Sequence, residues 1–526
     1  MKHFAKLLVT LLILTLTASS MVGCSKESNT GAQSGSSDVP QELTIAYGMD
    51  TDAKSIKGMG DMLLKIFSTD RLVELIDGKV QPSLATSWDI KDNGKTIVFH
   101  LRKDVKFSDG TPFTAEAVKF TYDRLKKFNN VNWTEVDKME KVEVIDPYTV
   151  AFHIVPEQVG FVVLTSFNEY QSSILSPNSV EPKGDPGAPF STLIGTGPWK
   201  VIDYKKDQYT VFAPNEHYYG KKATLQKVTV KDIPKAEGRV LALKSGDVDV
   251  IVDYYHGGSA YTPRNLLKSL KDDGFQVLKK EMPMTTALAF NYKKAPWNNV
   301  TLRQGINYAI NKDDLAALFD GWINPAKDGL FSPSAPFMKE AGVKEYSYNV
   351  EEAKKLIKQA GFPEGYKPKM IVQSQNPDEV KLAELIKFQL AQVGIDVQLD
   401  VLEAGVYTDR QKKGDWDLRT YYIGGPGRRA YTRLDGRFNP TAAEFGGSGY
   451  FSSPQITPVL NKAVSSFDEQ ERLNSFKTLY SLFKEEAGGV ALYYDAVFVV
   501  AKSNIKNIEY VSSEPRFDSV VVEKKK

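Results

Sequence analysis

The sequence predicts a mixed α/β fold divided into several lobes, and three observations support it. A capped strand–helix–strand passage runs from Lys369 to Val401, and a β-hairpin signal spans Ala85–Arg102. The third is length: 526 residues exceed the roughly 250–300 at which a single core stops growing, so two to four lobes are expected. Hydrophobic residues make up 42% and charged residues 25%, a balance that folds. Basic residues number 67 and acidic residues 65, so no basic excess points to nucleic acid as a partner. The single cysteine excludes a disulfide scaffold, a cysteine-rich zinc site and an iron–sulfur cluster.

From the N-terminus, Lys2 and Lys6 precede an apolar run from Leu7 to Ala18, and small residues lead to Cys24. That order is expected of a secretory signal over residues 1–23, and the run is shorter than the ~20 residues needed to span a membrane. Met21-Val22-Gly23-Cys24 resembles the end of a bacterial lipoprotein signal, with Met21 in place of the more usual leucine. The resemblance implies lipidation of Cys24, each buried CH₂ adding about 0.8 kcal/mol of membrane affinity. It places the protein outside the cytoplasm, on the outer face of the cytoplasmic membrane or in the periplasm. The other reading of Cys24 is an incidental thiol. Residues 24–41 are rich in Ser, Gly, Asn and Gln, a flexible tether.

Glu42–Tyr47 reads as a first strand. Ala85–Ile90 and Thr96–Arg102 flank Lys91–Lys95, where Asn93-Gly94 tolerates the positive φ of a tight turn. Thr114 is placed to cap a helix reaching about Leu125, with Glu116 in the positively polarised first turn. Asn349, with Glu352 three residues on, opens a helix that Gly361 and Pro363 stop. After a strand at Lys369–Val372, Asn376 caps a helix with Pro377 at its first position and Gly394 at its end. Ile395–Val401 then alternates as a strand, which makes the passage a parallel crossover.

Catalytic signatures are missing. No H-E-x-x-H occurs, and Gly446-Gly447-Ser448-Gly449-Tyr450 fails the G-x-S-x-G pattern at its last position. Gly94-Lys95-Thr96 would need a glycine at Asp89 to make a phosphate loop. The five histidines are His3, His100, His153, His217 and His256, with no two of the last four at helix-face spacing, so no protein-built metal cage and no cofactor are expected. An enzyme is disfavoured.

Several segments identify a family. Gln81–Asp89, Gly94-Lys95-Thr96 and His100–Glu116 are together very similar to the signature region of the family 5 extracellular solute-binding proteins, the oligopeptide-, dipeptide- and nickel-binding components of ABC importers. Ile194–Trp199, Ser245–Val250 and Arg303–Asn311 match further family segments in order, and the resemblance covers Glu42 to Val522. Read for themselves, these segments are scaffold: Asp109–Pro112 is a turn that launches the Thr114 helix, and Gly195-Thr196-Gly197-Pro198 reverses the chain, glycine relieving φ limits. Gly246–Val250 leads a short parallel strand out of a tight turn.

The family implies a three-lobed periplasmic-binding-protein-like fold, class II and large, with the ligand cleft between lobes I and III. Lobe I would comprise residues 42–80, 188–283 and 490–526, lobe II 81–187, and lobe III 284–489. Chain crossings near Met284 and Gly488 would form a hinge that closes on ligand. Aromatic residues with a few polar anchors suit such a cleft. Tyr254, Tyr255 and His256 follow a lobe I strand at its carboxyl end, where α/β sheets bind ligands; alternatively they pack on their own lobe. Tyr421 and Tyr422 precede a loop in which peptide-binding relatives carry an acidic anchor, and here Arg428 and Arg429 stand there, with Asp435 later. Two guanidiniums suit a carboxylate or other anion; the other reading is a solvated basic loop. Trp133 and Met62 align with cleft residues of nickel-binding relatives. The arginines that hold a carboxylate chelator there are Asn130 and Tyr170 here, and Asn439–Ala442 lacks the metal-contacting histidine.

The expectation is a monomeric, lipid-anchored solute-binding protein that captures a small peptide, or an anionic or metal-chelate solute, and delivers it to an ABC permease and ATPase. A nickel- or metallophore-specific binding protein and a surface receptor without an importer are the alternatives.

Overall fold

The computed structural model describes residues 39–51, 62–76, 79–128, 138–155, 160–169, 172–253, 262–425, 431, 434, 438, 451, 453–511 and 513–524. In chain order the strands are β1 (Glu42–Tyr47), β2 (Val73–Ile76), β3 (Lys79–Pro82), β4 (Ala85–Lys91), β5 (Thr96–Leu101), β6 (Met139–Asp146), β7 (Thr149–Ile154), β8 (Trp199–Lys205), β9 (Tyr209–Pro214), β10 (Lys227–Asp232), β11 (Val250–Asp253), β12 (Gln276–Phe290), β13 (Asn324–Pro325), β14 (Lys369–Gln373), β15 (Gln398–Leu402), β16 (Leu418–Gly424) and β17 (Val490–Ala501). The helices used below are α1 (Met62–Ser68), α2 (Ala115–Lys127), α3 (Phe161–Ser166), α4 (Ala236–Ser245), α5 (Arg264–Asp272), α6 (Val300–Ala309), α7 (Lys312–Leu318), α8 (Met338–Ala341), α9 (Val350–Gln359), α10 (Pro377–Ala391), α11 (Ala404–Lys413), α12 (Ile456–Ser465) and α13 (Glu469–Glu485).

One large sheet has the order β15-β14-β16-β12-β17-β11-β1-β10-β9-β8, with β13 on β17. Its middle is held by the two longest strands, β12 and β17, of 15 and 12 residues. They pair antiparallel from Gln276↔Ala501 to Leu288↔Val490, with register shifts between Glu281 and Thr285 and between Thr286 and Ala287. The first half of β12 lies beside the part of β17 that pairs with β11; its second half pairs with β16. A second, four-stranded sheet has the order β4-β5-β7-β6.

The hairpin between β4 and β5 turns through Asp92, Asn93 and Gly94, at φ of 52°, 55° and 90°. Asn376 and Asn349 cap as expected, accepting from the amides of Glu379 (3.2 Å) and Glu352 (3.0 Å). Thr114 differs. It is the residue before α2, but its side chain makes no capping bond, and its carbonyl instead accepts from the amides of Ala117 and Val118. The strand expected from Ile395 starts only at Gln398, because the Ile395 amide still donates to the Leu390 carbonyl at the end of α10. β14 and β15 are parallel neighbours, so the crossover stands.

Gly195 and Gly197 correct the sequence reading. Neither has positive φ. They are glycines because the end of α1 lies directly against them: a Cβ on Gly197 would sit 2.6 Å from the Ser68 carbonyl carbon and the Thr69 nitrogen, and one on Gly195 would collide with the Ser68 carbonyl oxygen. Gly197 donates to that oxygen at 3.1 Å, and the Thr196 hydroxyl donates to Asp70 at 2.9 Å. The Arg303–Asn311 segment is scaffold of the same kind. Buried Arg303 donates to the carbonyls of Glu486, Ala487 and Trp297, so its guanidinium satisfies backbone acceptors just past the end of α13. Gly305 lets α6 approach α9, and Asn311 caps α7 by accepting from the Asp313 amide.

Replacing Gly197 by Ala forces backbone against backbone and should cost about 1–3 kcal/mol or more. Gly405→Ala, in α11 with nothing within 4 Å and no positive φ, should be neutral or stabilise by up to about 1 kcal/mol. Thermal melting of both variants checks this; equal melting temperatures would refute the close-approach explanation.

Candidate functional site

The register of the large sheet brings strand ends together. β11 runs toward the middle and stops at Asp253, opposite Phe498 of β17. β16 approaches from the other side and stops at Gly424, opposite Met284 of β12. On β17 the level between these two ends is the stretch from Tyr494 to Ala496, where the β12–β17 register shifts. β1 is parallel to β11 and points the same way. Carboxyl ends of strands from both halves of the sheet therefore face one seam, the position where α/β sheets gather ligands.

Polar side chains concentrate there. Thr286 is the register partner of Tyr422 on one side and Tyr493 on the other, so the three form a row across β16, β12 and β17. The Thr286 hydroxyl also donates to Asp495 Oδ2 at 2.8 Å, both groups buried. On the β11 side, Asp253 accepts from the Thr262 amide at 3.1 Å and faces Arg264 Nη1 at 3.7 Å. Arg264 is stacked on the Phe498 ring, 4.6 Å from its centre. Its backbone amide donates across the seam to Asp378 Oδ2 at 3.0 Å, in the first turn of α10. That turn also offers Glu379, which accepts from the Thr420 hydroxyl of β16.

Burial dominates the electrostatics. Desolvation pushes the Asp253 carboxyl up, Arg264 and Arg239 pull it back, and the balance leaves it at about 7. Desolvation likewise raises Glu379 against the hydrogen bond from Thr420 and the Arg419 charge. The Tyr493 phenol is pushed well above its ordinary value by burial, with Asp495 adding to the effect. The seam thus holds donors, aromatic faces and one carboxyl, that of Asp253, raised to near neutrality.

Of the residues expected from sequence, Tyr422 is half-buried in the row above, whereas Tyr421 is 2% exposed and belongs to the apolar core. Alternation along β16 separates the two: neighbours on a strand point to opposite faces. Met62 opens α1, its side chain not described; Trp133, Tyr254, Tyr255, His256, Arg428 and Arg429 lie outside the described residues, as do Cys24 and the tether up to Asp38. Sequence reasoning missed Asp253, Arg264, Asp378 and Asp495. The signal for Asp253 was a charge ending the apolar run Val250-Ile251-Val252, a placement that needs a buried partner. His100 faces Asp89 at 3.1 Å and His153 faces Glu143 at 3.0 Å, both on the four-stranded sheet. Among the described residues no group of three or more His, Cys, Asp and Glu is arranged to hold a metal ion, and no helix is long and apolar enough to cross a membrane.

Residues 79–445 match the model of the bacterial extracellular solute-binding proteins, family 5. The chain is 28% identical over 516 residues to the nickel-binding periplasmic protein of Escherichia coli K12, covering 91% of this chain and 94% of that one. It is 26% identical to the dipeptide-binding protein of the same organism, over 83% of this chain and 85% of the relative. The structure of NikA from Brucella suis in complex with Fe(III)-EDTA superposes with a TM-score of 0.80, covering 92% of this chain and all of that one at 24% identity. The fold is that of the periplasmic substrate-binding proteins.

Because Asp253 is held near 7 in the folded chain but near 3.9 when unfolded, the folded state binds the extra proton between those values. Stability should therefore fall as pH rises from about 4 to 7, and the penalty is fully present above 7. Asp253→Asn should melt higher relative to wild type at pH 8 than at pH 5, a difference of order 2–4 kcal/mol. A gap independent of pH would contradict the buried-carboxyl assignment.

Proposed function

The chain belongs to the family 5 bacterial extracellular solute-binding proteins, a family of non-catalytic transport components, and from that premise we propose that it is the lipid-anchored receptor of an ABC importer for a small peptide. The observation that carries the reading is the convergence of the β11 and β16 carboxyl ends on the seam where β12 and β17 cross. Lobe I would be residues 42–80, 188–283 and 490–526, lobe II 81–187 and lobe III 284–489. The β12–β17 pair would be the hinge, and the amide of Arg264 on Asp378 a contact made between lobes I and III on closure. Solute would enter between the lobes, be enclosed, and be handed to the permease with no bond made or broken.

The aromatic and polar contacts proposed for solute are Tyr422, Tyr254, Tyr255 and His256, together with Met62 and Trp133. Of Arg428 and Arg429, one, read as Arg428, would take the solute carboxylate in a charge-assisted, bidentate fashion. The relatives named for nickel and for dipeptides support two solute classes. A metal chelate is the second reading, favoured by the 28% identity to the nickel-binding protein, and Asn130, Tyr170 and the missing histidine at 439–442 weigh against it. Acyl chains on Cys24 would hold the body to the membrane through residues 25–41.

The test starts from protein purified from its own host, with native mass spectrometry identifying the co-purified solute. Calorimetric titration then compares that solute with a nickel–histidine complex. Truncating the arginine that holds the carboxylate should cost roughly 2–5 kcal/mol, about thirty- to several-thousand-fold in Kd. Arg428→Ala should show the larger loss and Arg429→Ala the smaller, as adjacent residues rarely both face one ligand. Binding of the solute within about threefold of wild type by both variants would end the anion-anchor reading. In the same preparation Cys24→Ser should leave the membrane fraction while binding solute normally; retention after a salt wash would contradict the anchor.

A further inference from the structure

A cavity of about 580 Å³ lies between the four-stranded sheet and α13, and none of its lining residues belongs to the seam described above. Its walls are apolar and aromatic: Trp88 and Ile90 from β4, Phe161 and Leu164 from α3, and Phe337 and Phe467. The volume falls within the 300–1,000 Å³ typical of small-molecule sites. One cation lines this enclosure deeply. Arg472, in the first turn of α13, is only 6% exposed. Its guanidinium carbon lies 3.6 Å from the centre of the Phe161 ring, and Nη1 donates to the Ser466 carbonyl at 2.9 Å. Its Nε is shut off from solvent and has no hydrogen-bond partner, and among the described residues no carboxylate forms an ion pair with this guanidinium.

A buried guanidinium without a paired carboxylate costs free energy that an incoming anion would recover. Desolvation already holds Arg472 below the ordinary guanidinium range, against the opposing influence of Tyr431, Glu469 and Asp468. Glu469 is taken up by Lys79 at 3.2 Å at the exposed rim, where Glu340 also stands. With Glu469 paired to Lys79, the Glu340 carboxylate at that rim disfavours a doubly charged phosphate. A single carboxylate on a flat apolar body fits both the charge and the walls.

We propose that this cavity is a second ligand site, which takes a small aromatic monocarboxylate with its carboxylate on the Arg472 guanidinium and its ring between Trp88, Phe337 and Phe467. The site is independent of the solute read for the seam.

Fluorine NMR of full-length protein labelled with 5-fluorotryptophan tests it. Six tryptophans are present, and Trp88→Phe assigns the reporter resonance. Indole-3-acetate added to about 5 mM, a concentration that detects millimolar affinity, should shift the Trp88 signal saturably, and the uncharged indole-3-acetamide should do so at least about tenfold more weakly. Arg472→Gln should weaken indole-3-acetate by about tenfold or more. Glu340→Arg, a change at an exposed position, should strengthen it by roughly two- to fivefold. The proposal is overturned if the Trp88 signal does not move, if the amide binds as well as the acid, or if Glu340→Arg leaves acid binding unchanged.

Discussion

The antiparallel pairing of β12 with β17 is the constraint on which the rest of the structure depends. These two strands are the part of the large sheet shared by its two halves: β11 and β1 build outward from one, β16 and β14 from the other. Strand pairing fixes which ends meet. Because β11 is antiparallel to β17 and β16 antiparallel to β12, both outer sets run toward the register shift between Glu281 and Thr285. A ladder with a shift in it is the place where a sheet can bend, since local pairing is already interrupted there. The same irregularity thus marks the ligand position proposed above and the point about which the halves would turn.

The polar groups of the seam are costly by themselves. Asp253 and Asp495 are 3% exposed and Arg264 is 6% exposed; Asp253 is held by Thr262 and Arg264 nearby in the chain, the other two by more distant partners. Thr286 meets Asp495 across 209 positions, and Arg264 meets Asp378 across 114. Removing one partner leaves a buried charge unpaired, which is why such clusters hold one arrangement and resist partial ones. In the function proposed, the Thr286–Asp495 pair would stand ready before solute arrives, so that less ordering entropy would be lost on binding.

What could be read from sequence follows the range of the interactions. The β4–β5 hairpin, the asparagine caps of α9 and α10 and the β14–α10–β15 crossover are set by residues within a few positions of one another, and all were legible. The Thr114 cap failed because carbonyl acceptance alone started α2. Gly195 and Gly197 were legible as special positions but for the wrong cause, since the close approach of Ser68 and Thr69 comes from a segment far away in sequence. The seam's place at strand carboxyl ends could be inferred, and Tyr422 lies in it, while Tyr421 turns into the core because strand alternation sends one of two neighbours each way. Asp378 and Arg472 carry no signal of their own in the sequence; only packing turns them into a trans-seam acceptor and a buried cation.

The measurement that bears most directly on this account is the distance between the two halves with and without solute. In a Cys24→Ser background, Leu241→Cys on α4 and Phe388→Cys on α10 provide spin-label sites at positions 69% and 63% exposed. Pulsed electron double resonance on this protein, stripped of solute and then saturated with the one that co-purifies, should show the distance distribution shorten and narrow as the halves turn about β12 and β17. An unchanged distribution at saturation would contradict the hinge, and with it the claim that these two strands couple binding to delivery.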